Sequence, residues 1–256
     1  MCLLFIAYKS HPRYPLILAA NRDEFYDRPT KAASFWEERP DLLAGRDLEG
    51  GGTWLGITKG GRIAAITNFR DLAALKATAP SRGLLVRDYL LGNVESEEYL
   101  RNLKGLAGTY SGFNIVVGQM DGLRYFSNMD GSVLNIREGS HGLSNHFLDT
   151  PWPKVERGKE LLGRVLSESE EPSFEAIFDV LADRLRPDDS MLPDTGIGLE
   201  WERVLSPIFV ETDGYGTRSS TIILMRYDGD TTFVERVFDG ATGGYEEKRY
   251  TFEVRC

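Results

Sequence analysis

Leu16-Ile17-Leu18-Ala19-Ala20-Asn21-Arg22-Asp23-Glu24 is the stretch on which the fold turns. Five apolar residues run into an amide, a guanidinium and two carboxylates. A buried strand ending in such a cluster delivers polar groups to the rim of a core, where sites are built. Its partner is Cys2-Leu3-Leu4-Phe5-Ile6-Ala7-Tyr8, an apolar run closed by Lys9, Ser10, Pro12 and Pro15. Two apolar runs joined by a short proline-containing link read as an antiparallel hairpin. With the turn centred near Pro12, paired positions sum to about 24, which sets Cys2 opposite Arg22.

Beyond the hairpin, Phe25 to Pro40 shows no clear periodicity and reads as an ordered surface loop. Gly50-Gly51-Gly52 precedes a strand and reads as a tight turn, since it lacks the spacing and the lysine of a phosphate loop. Thr53 to Thr58 and Arg62 to Asn68 form a second hairpin around Lys59-Gly60-Gly61, ending in Thr67-Asn68-Phe69-Arg70. Helices are expected from Ser81 to Leu91 and from Ser96 to Leu106, then strands at Phe113 to Gly118 and Leu123 to Ser127. A polar patch, Gly142 to His146, precedes helices from Lys154 to Ser167 and Phe174 to Leu185. The acidic Glu168 to Glu171 reads as a solvated linker, and Pro187 to Gly198 as a long loop. Strands return at Ile208 to Glu211, Ser219 to Arg226, Thr232 to Phe238 and Lys248 to Val254. This order disfavours a parallel βαβ sheet and predicts antiparallel sheets with helices outside them, an α+β fold.

The chain has 256 residues, 41% hydrophobic and 27% charged, ordinary for a soluble globular protein. No repeat or domain boundary is visible, so 1–256 reads as a single domain. A net charge of −9 disfavours general affinity for nucleic acid or anionic membranes. No apolar run approaches the ~20 residues that span a bilayer, and the opening run breaks at Lys9, too early for a secretory signal. The two cysteines, Cys2 and Cys256, make no disulfide framework, so a cytoplasmic location is expected, with Cys256 a bystander.

Cys2 carries the most chemistry. Removal of Met1 would leave a cysteine with a free α-amine, of ordinary pKa near ~8, able to act as base toward its own thiol. Arg22 or a later arginine can supply a cation beside the thiolate, Asp23 can orient the amine, and an asparagine amide can serve an oxyanion hole. Spacing alone leaves open the simpler reading, a small apolar residue starting a buried strand. His141 and His146 lack the spacing of a helical zinc pair, and no metal site is expected. A Cys2–His146 dyad is a weaker alternative to the α-amine. The tryptophans read first as packing residues.

Met1-Cys2, Asn21-Arg22-Asp23-Glu24, Gly51-Gly52-Thr53-Trp54-Leu55-Gly56 and Asn68-Phe69-Arg70 together resemble the NRDE family, also called the Transport and Golgi organisation 2 family, over essentially the whole chain. More distantly the layout is similar to N-terminal-nucleophile (Ntn) hydrolases of the choloylglycine hydrolase and penicillin acylase group. That resemblance implies a four-layer αββα sandwich of antiparallel sheets. It implies Cys2 as nucleophile, Asp23 holding the α-amine, Asn68 and Asn145 shaping the oxyanion hole, and Arg218 as the late arginine. Asn21, Arg22, Trp54 and Arg70, within the motifs, are the candidate substrate contacts. One departure stands out: those hydrolases carry an arginine where this chain has Ala20, and Arg22, on the same strand face, is the candidate substitute. The reaction implied is hydrolysis of a small-molecule amide without metal or cofactor. The competing implication, from eukaryotic members associated with haem mobilisation and with Golgi, mitochondrial and lipid homeostasis, is carriage of haem or acyl-CoA, with His141, His146 or Cys2 as haem contacts.

Overall fold

The hairpin closes in the register read from the sequence. In the computed structural model, which describes residues 2–239 and 244–255, β1 (Cys2–Tyr8) pairs antiparallel with β2 (Leu16–Phe25), setting Cys2 opposite Arg22 and Tyr8 opposite Leu16. Met1 and Cys256 lie outside the described residues, so the reading of Cys256 as a bystander is not addressed. Lys9 takes a positive φ of 47° in the turn, and its N–H donates to the Pro15 carbonyl at 2.7 Å.

The chain then forms seven strands that pair in sequence order: β3 (Thr30–Trp36), β4 (Arg39–Asp47), β5 (Leu55–Thr58), β6 (Ile63–Asn68), β7 (Phe113–Gln119), β8 (Gly122–Ser127) and β9 (Val133–Asn135). Helices α1 (Gly83–Leu91) and α2 (Ser96–Leu106) pack on one face of this sheet, burying Val86, Tyr89, Leu100 and Leu103 against Ala64, Ile115, Val117 and Phe126. It returns through β10 (Gly139–Leu143), α3 (Pro153–Glu168), α4 (Phe174–Leu181), α5 (Leu199–Val204), β11 (Tyr215–Met225), β12 (Asp230–Phe238) and β13 (Tyr245–Glu253). These complete a second antiparallel sheet, ordered β10-β1-β2-β11-β12-β13. On it α3 and α4 bury Val155, Leu162, Ile177 and Leu181 against Phe5, Ile17, Ala19, Ile222 and Val234. Two compact units result: Met1–Asp27, Glu138–Ser144 and Leu148–Thr251 form one, and Arg28–Arg137, Asn145–Phe147 and Phe252–Cys256 the other. The fold class is α+β, built of antiparallel sheets with helices on a face of each.

The segment Phe25 to Pro40, expected to be a loop, instead contains β3 and begins β4. Its short edge strand mixes Lys31 and Ser34 with Ala33 and Trp36, and two register shifts against β4 blur the period. Ile208 to Glu211, expected to be a strand, bends at Ile208 and Phe209 and joins no sheet; an isolated bridge links Glu211 to Gly216. Its backbone groups bond elsewhere: Phe209 N–H to the Asp183 carbonyl at 2.8 Å, Val210 N–H to Thr217 Oγ1 at 3.0 Å.

Candidate active site

Strand alternation sorts the polar end of β2. Asn21 and Asp23 fall on the helix-bearing face with Ile17 and Ala19; Ala20, Arg22 and Glu24 fall on the other, with Cys2. Asn21 is 1% exposed, and its Nδ2 donates to the carbonyls of Leu181 (2.8 Å) and Ile208 (2.9 Å) while Oδ1 accepts from Ser220 Oγ at 2.6 Å. Both N–H groups are thus taken up by backbone. Asn21 thereby pins β2 to the end of α4 and to the 208 segment.

Asp23, 2% exposed, accepts from Thr217 Oγ1 at 2.8 Å. That hydroxyl also accepts the Val210 N–H, so its single proton must point at the carboxylate and fix its orientation. Sequence reasoning passed over Thr217. The available signal was Thr217-Arg218-Ser219-Ser220-Thr221, a hydroxyl-rich run opening an otherwise apolar strand.

On the other face lies a row. Cys2 pairs with Arg22 across β1–β2, and Arg22 with Ser219 across β2–β11. Thr217 pairs with Asp23, so Arg218 is the extra residue of a β-bulge, which re-aims a side chain. Its Nη1 donates to the Phe25 carbonyl at 2.7 Å. Burial pushes the Arg218 pKa down, and the neighbouring charge of Arg22 adds to the effect. Arg22 is 5% exposed, with Nη2 4.0 Å from Glu24 Oε2. Burial likewise pushes the half-buried Cys2 thiol up; the chain-terminal amine and Arg22 oppose that, while Asp23 and Glu24 reinforce it. The first unit therefore gathers Cys2, Arg22, Asp23 and Arg218 at one end of three adjacent strands.

The second unit holds Trp54, Asn68, Arg70, Asn145 and His146, and the first holds His141. Asn145 is fully buried: Nδ2 donates to the Asn68 carbonyl at 3.0 Å, Oδ1 accepts from Arg70 Nη2 at 3.4 Å, and its own carbonyl accepts the Arg70 N–H at 2.7 Å. Asn68, Arg70 and Asn145 thus form one cluster at the end of β6. Asn114, which no motif singles out, anchors this segment: Nδ2 donates to the His146 carbonyl (2.9 Å) and Thr67 Oγ1 (3.1 Å), and Oδ1 accepts from Tyr125. Trp54 packs against the helix-side core with its ring over Gly45, where an added Cβ would lie 2.3 Å from the ring. His141 Nδ1 is engaged by Asp149 at 2.6 Å; His146 stacks with Phe69 and Phe147, and burial lowers its pKa.

Comparison with known proteins adds the fold and the lineage. The Caenorhabditis elegans N-acylethanolamine-hydrolyzing acid amidase ortholog superposes with a TM-score of 0.50 at 11% identity, covering 87% of this chain and 92% of that one. A mutant conjugated bile acid hydrolase from Clostridium perfringens superposes with a TM-score of 0.52 at 9% identity, covering 99% of this chain and 97% of that one. These likenesses establish the Ntn-hydrolase fold. In sequence, the Transport and Golgi organization protein 2 homolog of Homo sapiens is 36% identical over the full length of both chains. The Drosophila melanogaster protein of that name is 29% identical, covering 94% of this chain and 93% of its own. The family model for Transport and Golgi organisation 2 matches residues 1–240, and the chain belongs to that family.

Proposed function

We propose that the protein is an N-terminal-cysteine amidohydrolase that cleaves a small-molecule C–N amide bond in the cytoplasm. The observation that carries this reading is the register that sets Cys2 opposite Arg22, beside an Asp23 held by Thr217. Loss of Met1 gives Cys2 its own α-amine. That amine accepts the thiol proton as Sγ attacks the amide carbonyl, and returns it to the departing amine as the C–N bond breaks. Water then cleaves the thioester, so amide and water yield acid and amine with no metal or cofactor. Asp23 orients the α-amine, Arg22 offsets the thiolate charge where burial alone would keep the thiol protonated, and Arg218 is assigned as a further cation on β11.

The test is a panel of N-acyl amides with the wild-type protein and Cys2→Ala. Turnover is expected in the first and absent in the second, with the thermal midpoint nearly unchanged. Retained turnover in Cys2→Ala overturns the mechanism. Absence of turnover in both, with haem or acyl-CoA bound instead, would favour the carrier reading suggested by the family.

A further inference from the structure

Helix α4 ends at Leu181, whose carbonyl takes the Asn21 amide, two residues short of Asp23 along β2. Beyond that point the helix-bearing face of the first sheet holds a cavity of about 240 Å³, lined wholly by residues of the first unit. Phe178, Phe209, Phe238 and Tyr245 supply its rings. Phe209 and Phe238 meet edge to face with centroids 5.0 Å apart, and Phe238 and Tyr245 stand 6.1 Å apart. Thr217, whose hydroxyl holds Asp23, is also in the wall. The cavity therefore lies on the face of the sheet away from Cys2.

The charges around it discriminate between ligands. Both lining guanidiniums are already neutralised. Arg236 pairs with Glu175 and, at 3.0 Å, with Glu247, and stacks 3.9 Å from the ring centre of Phe178 and 4.5 Å from that of Tyr245. Arg184 pairs with Glu211 at 3.2 Å and stacks 4.2 Å from the ring centre of Phe209. Asp179, on the exposed side of α4, also lines the cavity and has no hydrogen bond or ion pair among the described residues. An anion entering here meets cations that already have partners. An ammonium meets an unpaired carboxylate and an aromatic wall of the kind that attracts cations. We propose that this cavity binds a small organic ammonium ion, its charge paired with Asp179 and its apolar body against Phe209 and Phe238. At ~30 Å³ for each water-sized group the cavity holds about eight of them, which suits an arylalkylamine. The site is separate from the Cys2 centre and does not depend on the amidohydrolase reading.

The test is calorimetric titration of the intact chain at neutral pH and low salt with four probes. These are 2-phenylethylamine, protonated at that pH, its neutral isostere 2-phenylethanol, the anion 3-phenylpropionate, and methylammonium. The phenylethylammonium ion is expected to bind about 10-fold tighter than the alcohol, and the carboxylate more weakly than either. Asp179→Asn is expected to weaken the ammonium several-fold and leave the alcohol and the thermal midpoint unchanged, because that side chain is exposed and unpaired. Equal affinity for ammonium and alcohol, tighter binding of the carboxylate, no binding of the ammonium, or full affinity in Asp179→Asn overturns the proposal. Methylammonium bound as tightly as phenylethylammonium would trace the attraction to the net charge of −9 rather than to the cavity, and overturns it too.

Discussion

At the scale of single residues, the end of β2 separates support from chemistry by strand face. Asn21 and Asp23 point into hydrogen bonds that tie β2 to β11 and the 208 segment; Cys2, Arg22 and Ser219 occupy the opposite face. Thr217→Val keeps the shape but removes the hydroxyl that serves both the Val210 N–H and Asp23. It is expected to destabilise the protein by about 1–3 kcal/mol in denaturant unfolding, since two buried groups each lose one hydrogen bond. Under the proposed mechanism it also lowers turnover, because Asp23 is no longer oriented. Ser219→Ala is expected to act the other way on stability: deleting an unpaired buried hydroxyl leaves the thermal midpoint equal or higher. A clear fall in the midpoint would show that this hydroxyl has a structural partner.

At the scale of elements, two close approaches and one loop explain why particular residues are needed. Gly158 of α3 faces Phe5 of β1, where an added Cβ would stand 1.9 Å from the ring. Gly158→Ala therefore overpacks the core although alanine favours helix, and a loss of roughly 1–3 kcal/mol is expected from chemical denaturation. At Gly52 a Cβ would meet the Gly83 backbone at 2.2 Å, so the glycine triplet brings a turn against the start of α1, as a tight turn rather than a phosphate loop. Asp47 organises that turn, accepting from the Glu49 and Gly50 N–H groups and from Arg28. Burial raises its pKa, but the Arg28 guanidinium and those N–H groups outweigh it and hold the carboxyl below its ordinary value. A depressed folded pKa means the unfolded chain binds the proton more tightly. The contribution is therefore present above the ordinary carboxylate range and lost as pH falls through the folded value. Asp47→Asn is expected to flatten the acid limb of the stability profile; an unchanged limb would show that Asp47 contributes nothing there.

At the scale of the molecule, what was legible followed from burial. The runs 2–8 and 16–20 are buried on both faces, so they read as continuous apolar strands, and the proline link then set their register. Helix α2 was legible to the residue because one face is apolar and its ends are polar. What escaped lacks such a pattern. β10 is Gly-Ser-His-Gly-Leu on a sheet edge, and α5 is six residues long. The 208 segment looked like a strand because it is apolar, yet Thr217 and the Asp183 carbonyl take its N–H groups. For the candidate site, Cys2, Arg22 and Asp23 were readable from motif and register. The roles of Asn21 and Thr217 were not, because they depend on partners about 160 to 200 residues away, brought close only by packing. Among the described residues no helix is long and apolar enough to cross a membrane.

The central claim is that Cys2 is a free, activated N-terminal nucleophile. Its most direct test is the intact mass of the purified protein before and after brief treatment with a thiol-directed acylating reagent. Loss of one methionine and a single fast label mapped to Cys2 is the expected result. A retained Met1, or a Cys2 that stays unlabelled while the fold is intact, would contradict it.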